Sequence, residues 1–399
     1  MSFKKKAILS SVAAAVIATG ATAASLQVDH TGQYLVMPAY YALSDGNWQT
    51  KIRVINTNTT EAAVAKVVIR EYATSAEDLD FPIYLTPGDV WEGTIYNDNG
   101  VVKLKSTDDS MYVNGAFVSS TNPVDVALFD NGPSGNQYGY VEVFGLGQVP
   151  ANTVPGNNWT LNNPMSKSAL RDDYIGTRTG GWHGDVTDLT GLEVVSASGA
   201  GSERAMTLVA TTIGDFENTG AMPANIIGTD STPDNLIGAG AKDEIEDALL
   251  KDHVFVSYSN NNANETQLLL TQPTKKYDVP NAIAPYWTNV GTAADPIYRT
   301  YYSTIARNML EQTNIQSTDF SGGTEETLHC DTEICYLMND HFIGSFTTGY
   351  VDYKLLGDNP DTDGALPVIP TQIIGENVGA RSVVNMFEPA YHAAEKHKD

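Results

Sequence analysis

The chain has 399 residues, 42% of them apolar, with 48 acidic against 23 basic side chains and a formal net charge of −25. A field of that sign repels phosphate backbones and anionic lipid, and the basic residues form no stripe, so nucleic acid is excluded as a partner. Two cysteines cannot hold together a chain this long, so an apolar core must do so.

The chain begins MSFKKKAILSSVAAAVIATGATAASLQ. Lys4, Lys5 and Lys6 form a positive region, Ala7 to Ala18 a short apolar run, and Ala21-Thr22-Ala23 a cleavage site. That order predicts a secretory signal peptide over residues 1–23. The run falls short of the roughly 20 residues that a membrane span needs. No later stretch reaches that length, so no transmembrane segment is expected in the mature chain. The expected location is secreted, extracellular or cell-surface, with the periplasm as the other compartment.

Residues 24–148 read as an N-terminal β-sandwich unit. QYLVMPAYYAL, QTKIRVINT, AVAKVVIREYAT, DFPIYLTPGDVWEGTIYND, VVKLKS, SMYVNGAFVSS and YGYVEVFGLGQV are rich in Val, Ile, Thr and Tyr and are separated by turn formers. Ile52 and Val54 alternate with Lys51 and Arg53, while Val64, Val67 and Ile69 are candidate inward residues of the next strand. Pro87-Gly88 predicts a turn and Asn99-Gly100 a hairpin of primed geometry. Ser25 to Val36 is a candidate donor strand for the sheet edge of another copy.

Residues 149–190 are polar and interrupted, an insertion or linker in which PMSKSALRDDY predicts a short helix. Residues 191–399 return to strands, among them LEVVSAS, RAMTLVATTI, HVFVSYSN and TQLLLTQPT, and form the second β-rich unit. Its clearest helix lies near 241–250, with Ile245, Ala248 and Leu249 on one face. The expected fold class is mainly β: an antiparallel β-sandwich, jelly-roll or Ig-like, in two β-rich units with one short helix in the second.

The stretch from Asn47 to Trp91, together with EIEDALLKDHVFVSYS and QLLLTQPTKKY, resembles an uncharacterised group of bacterial secreted or cell-surface β-sandwich proteins. The resemblance implies an exported β-sandwich and supplies no catalytic residues. Arg70, Glu71, Asp80, Phe81, Pro82, Pro87, Gly88, Asp89 and Trp91 look like its framework.

Chemistry-bearing residues concentrate in LHCDTEICYLMNDH, the cysteine loop over 328–341. An oxidising compartment and room for closure through DTEI favour a disulfide between Cys330 and Cys335 that fixes a loop beside a strand edge. The competing readings are free thiols, or a soft-metal site adding His341 with His329 or Met338. GGWHGD places Trp182 and His183 in a glycine-rich loop. With Trp159 and Trp287 they are the candidate ligand surface, and Tyr286 stands beside Trp287. DNPDTDG offers Asp358, Asp361 and Asp363 as weak calcium ligands, although Pro360 and the missing distal glutamate depart from an EF-hand loop. No other cofactor is expected. Asn58-Thr59-Thr60 matches an acceptor sequon.

H-E-x-x-H, Walker, G-x-S-x-G and C-x-x-C-H motifs are absent from the sequence, and no catalytic residue is nominated. The expected function is an extracellular or cell-surface structural protein, self-assembling as a surface-layer or filament subunit, with itself or other surface components as partners. The alternative is a secreted carbohydrate- or protein-binding module, with polysaccharide as ligand, and the third reading is a secreted hydrolase.

Overall fold

The structure is a computed structural model. It describes residues 25–27, 29–44, 47–129, 136–157, 159–160, 163–184, 186–199, 202–214, 239–259, 264–275, 287–289, 291–292, 298–308, 328–331, 334–337, 348–356, 364–378 and 381–386. The expected signal peptide and the acidic loop carrying Asp358, Asp361 and Asp363 lie outside the described residues.

The first part of the chain runs β1 (Ser25–Leu26), β2 (Tyr34–Tyr41), β3 (Gln49–Asn56), β4 (Glu61–Glu71), β5 (Glu77–Leu85), β6 (Val90–Asp98) and β7 (Val101–Ser106). A small hairpin follows, β8 (Tyr112–Val113) and β9 (Ala116–Phe117), then β10 (Val124–Ala127) and β11 (Tyr138–Pro150). Helix α1 (Lys167–Ile175) precedes β12 (Leu189–Gly199), β13 (Ser202–Val209) and β14 (Thr211–Gly214).

These strands build two six-stranded sheets, ordered β1-β14-β2-β11-β4-β5 and β10-β7-β6-β3-β12-β13, and every described pairing is antiparallel. The molecule is therefore mainly β, as its sequence predicts. The sheets continue past residue 148, because β12 pairs with β3 and β14 with β2. Leu189 to Gly214 thus complete the N-terminal sandwich rather than open the second unit.

The two sheets differ in what covers them. In the sheet built on β3, β6 and β7, buried and solvent-facing residues alternate, with Ile52, Val54, Trp91, Ile95, Val102 and Leu104 turned inward. That pattern marks a sheet with one wet face. In the other sheet all of β2 and almost all of β4 and β11 are buried. Leu35, Val67 and Ile69 join the core between the sheets. The even-numbered Tyr34, Val36, Val64 and Val68 join a second core on the opposite side. Val64 therefore faces away from Val67 and Ile69, so these three inward candidates divide between two cores. This sheet is the middle layer of the fold.

Local chemistry explains the connections. Gly88 has φ +72° and Asp89 N–H donates to Thr86 O at 3.0 Å, a type II turn led by Pro87. Asn99 and Gly100 also take positive φ, joining β6 to β7 by the expected two-residue hairpin. The register of β11 on β2 shifts between Gly139 and Val141, which leaves Pro38 and Ala39 opposite Tyr140. Proline is admitted to this central strand because the bulge asks no ladder N–H of it.

The second part comprises α2 (Ala239–Leu249), β15 (Leu250–Lys251), β16 (His253–Ser259), β17 (Asn264–Thr271), β18 (Thr288–Asn289), β19 (Tyr298–Asn308) and β20 (Leu328–Cys330). It ends with β21 (Ile334–Leu337), β22 (Thr348–Leu355), β23 (Leu366–Pro367), β24 (Ile369–Val378) and β25 (Arg381–Met386). One sheet is ordered β16-β22-β19-β18, with β20 also on β19, and another is ordered β21-β17-β24-β25. Ile245 and Leu249 of α2, Leu269 of β17 and Ile369 of β24 share the second core with Leu170 and Tyr174 of α1. Thr271 Oγ1 donates to Pro38 O at 2.8 Å. The second part thus covers the far face of the middle sheet.

The candidate donor segment is corrected by this arrangement. Ser25–Leu26 pairs with β14, and Tyr34–Val36 is held between β14 and β11. Tyr34, Leu35 and Val36 are buried within its own chain.

Candidate functional site

Helix α1 begins at Ser166, whose hydroxyl accepts the Ala169 N–H at 3.2 Å. The loop after it returns to the helix through Trp182. The indole N–H donates to Asp173 Oδ2 at 2.7 Å, and the ring meets Tyr174 edge-on at 4.9 Å. Asp173 also accepts from Thr179 N and Oγ1, both at 3.0 Å, and from Gly180 N at 3.1 Å. Burial pulls its carboxyl upward, but these donors outweigh it and hold the pKa below the usual range. Trp182 is a latch that closes the loop on the helix.

That latch delivers His183 to the end of β11, where its backbone exchanges two hydrogen bonds with Gln148, at 2.9 and 3.0 Å. Its Nε2 stands 3.5 Å from Glu61 Oε2. Around it lies a polar cluster that the sequence did not nominate. Gln148 Nε2 donates to both Glu61 Oε2 and Asp188 Oδ2, each at 2.8 Å. Asn58 Nδ2 donates to Asp188 Oδ2 at 2.9 Å. The residues come from the turn before β4, the end of β11 and the approach to β12. Only pairing of those elements reveals the cluster.

The remaining candidates are packing groups. Trp159 is half-buried against the second core. Trp287 is 1% exposed, and its indole N–H donates to Gln272 Oε1 at 2.8 Å. Thr300 Oγ1 donates to the same oxygen at 2.6 Å. Trp159 and Trp182 pack against the same core, and Trp182 and Trp287 direct their indole N–H groups to internal partners.

Expectations for the cysteine segment need correction. Cys330 and Cys335 stand on strands of different sheets, β20 on β19 and β21 on β17. Cys335 is fully buried, and its Sγ accepts from Gln272 Nε2 at 3.2 Å. Strand pairing thus organises this segment, whose two cysteines stand on paired strands rather than in a loop at a sheet edge. No described cysteine is a free thiol. Among the described residues, no three His, Cys, Asp or Glu side chains are grouped to hold a metal ion.

A His–carboxylate pair lies in the second part. His253 Nδ1 meets Asp352 Oδ1 at 2.8 Å, beside an open groove of about 320 Å³ that Asp252, Lys354 and Leu355 help to line. The imidazole stacks on Phe255, which is 45% exposed.

The broadest feature is the wet face of the sheet containing β3, β6, β7 and β10. Those four strands present Lys51, Arg53, Lys103 and Lys105 against Glu92, Asp98 and Asp125. Lys51 and Arg53 pair with Glu92 at 2.8 and 2.7 Å, and Lys103 with Asp98 at 2.6 Å. Lys105 lies 4.3 Å over the Tyr96 ring, whose hydroxyl donates to Asp125 at 2.9 Å. Pairing with Lys51 and Arg53 offsets the effect of burial on Glu92 and leaves its pKa low. Val90 and Val101 lie 38% and 47% exposed on the same sheet, and Val209 of β13 is 52% exposed. No helix described in the chain is long and apolar enough to cross a membrane. No protein-family model matches the chain, and neither a curated protein nor a solved structure shows significant similarity to it.

Proposed function

We propose that the chain is a structural protein of the cell exterior that associates with copies of itself through the wet face of its outer sheet. The observation that carries this reading is the charge of that face. Its four strands hold four cations against three carboxylates, in a chain whose net charge is −25. A second copy is a matching partner, because its surface is dominated by acids. The exposed Val90, Val101 and Val209 add apolar area to a face that would otherwise be only electrostatic. The leader-like N-terminus supports the location.

Exposed ion pairs contribute little each, and salt screens them over about 10 Å at 0.1 M. Association should therefore weaken as salt rises. Sedimentation velocity of the purified chain across protein and salt concentration tests this. The expected result is concentration-dependent association that Lys103→Glu with Lys105→Glu abolishes. A monomer at every concentration and salt level would overturn the proposal, as would association that this double variant leaves unchanged. The binding-module alternative is not favoured by the aromatic residues nominated for it, because Trp182 and Trp287 spend their indole N–H groups inside the protein.

A further inference from the structure

The cluster beside His183 is unbalanced in two ways. Glu61 and Asp188 bring two carboxylate oxygens onto the single Gln148 nitrogen. Among the described residues no Lys or Arg pairs with either acid, and the His183 ring nitrogen stands 3.5 Å from Glu61. The second imbalance is in the amide itself. Gln148 is 1% exposed, and its Oε1 is buried with no hydrogen-bond partner. A buried acceptor without a partner is costly, so it calls for an explanation.

The two amides of the cluster are fixed unequally. Asn58 Oδ1 accepts from Thr60 N at 2.8 Å, Thr60 Oγ1 at 3.0 Å and Glu61 N at 2.9 Å. Those three donors hold its oxygen in the turn and leave only its nitrogen for the acids. The Gln148 amide is held only through its nitrogen, by the two acids themselves, so a cation taking those oxygens would free it to turn over about its last torsion. Turned over, it would set a carbonyl oxygen beside two carboxylate oxygens, an arrangement stable only around a cation.

We propose that Glu61, Gln148 and Asp188 form a binding site for a hard divalent cation of the calcium class. A cation near the present amide nitrogen would sit close to its ligands already. That nitrogen is 2.8 Å from each carboxylate oxygen, whereas calcium takes oxygen ligands at about 2.3–2.6 Å. Two carboxylates, one amide carbonyl and water make a hard oxygen set, and no third acid is needed. The frame is rigid. Gln148 is tied to His183 on one side and to Ala63 on the other, and Asp188 O accepts from Thr57 N at 2.8 Å and Thr57 Oγ1 at 2.9 Å. The site is independent of the proposed self-association, since none of its three residues lies on β3, β6, β7 or β10, the strands that carry the basic face.

Calorimetric titration of the purified chain with calcium chloride tests the site, with magnesium chloride as the comparison. The expected result is calcium binding that falls at least tenfold in Glu61→Gln and in Asp188→Asn, with calcium raising the melting temperature of the wild type only. Absence of calcium binding at millimolar concentration would overturn the proposal. So would wild-type calcium affinity in both variants, which would place the binding elsewhere on this acidic chain. Should the variants fail to fold, a wild-type crystal soaked in calcium decides the matter. Density bonded to Glu61, Gln148 and Asp188 supports the site, and a calcium-free cluster refutes it.

Discussion

The phenol of Tyr34 donates to Glu142 Oε1 at 2.6 Å, inside a layer where both residues are fully buried. The other carboxylate oxygen takes Arg70 Nε, and Arg70 Nη1 donates onward to Ser75 O at 3.1 Å. Three neighbouring strands of the middle sheet thus share one buried ion pair. Removing one partner strands the other charge away from water, at a cost of about 3–5 kcal/mol. Arg70→Met should destabilise by that amount in chemical denaturation. Arg70→Met combined with Glu142→Leu and Tyr34→Phe should recover most of the loss, because apolar groups then replace the whole set. Additive losses across the series would contradict the coupling.

Glu193 is a second buried acid, with a different balance. Its Oε1 accepts the Ala39 N–H that the bulge in β2 leaves free, at 3.2 Å, and among the described residues no basic side chain pairs with it. Burial raises its pKa well above the usual carboxylate value, and the Ala39 hydrogen bond opposes this only in part. The folded state therefore holds this proton more tightly than the unfolded chain. The associated stability is fully present below the unfolded carboxyl pKa and is lost as pH rises through the folded one. Glu193→Gln should match the wild type in acid and exceed it at neutral pH by upwards of about 1 kcal/mol. Denaturation midpoints of both proteins across that range check the divergence. A constant difference at every pH would show that Glu193 does not carry it.

Trp182→Phe keeps the ring beside Tyr174 and deletes only the donor to Asp173. Hydrogen bonds to a charged group contribute about 1.5–3 kcal/mol, so a loss of that order is expected at neutral pH. Since Asp173 has a lowered pKa, its contribution is present above the unfolded carboxyl pKa and lost as pH falls through the folded one. The penalty of the substitution should accordingly shrink in acid. A titration of Asp173 by NMR should show its pKa rising in the variant.

The wet sheet was legible because its strands obey one rule. Ile52 and Val54 face the core while Lys51 and Arg53 face water, and the period of two survives in the sequence. The middle sheet conceals its pattern, since both faces of β4 are buried and Val64 is as apolar as Val67. Lys66 and Arg70 look like solvent-facing residues of that strand. Both are buried, because Asp80 and Glu142 reach them from neighbouring strands. Such partners lie too far apart in the chain to be paired by reading it. The same holds for the polar cluster, whose Glu61 and Asp188 have nothing in common in sequence. The cysteine segment misleads for a related reason: proximity of Cys330 and Cys335 suggests a loop, whereas strand pairing sends them to separate sheets.

The pairing of Val36 with Thr211 and of Tyr34 with Ile213 has a consequence in time. A ribosome adds roughly 5–20 residues per second. The interval between the emergence of β2 and of β14 is therefore on the order of ten seconds or more. Once β11 has emerged β2 can pair along one side, but throughout the interval its other edge lacks a partner. Until Thr211 appears, the growing polypeptide is an open sheet edge in search of a strand. A chaperone that recognises extended apolar segments would find its binding site at Tyr34–Tyr41, and would be displaced when β14 arrives.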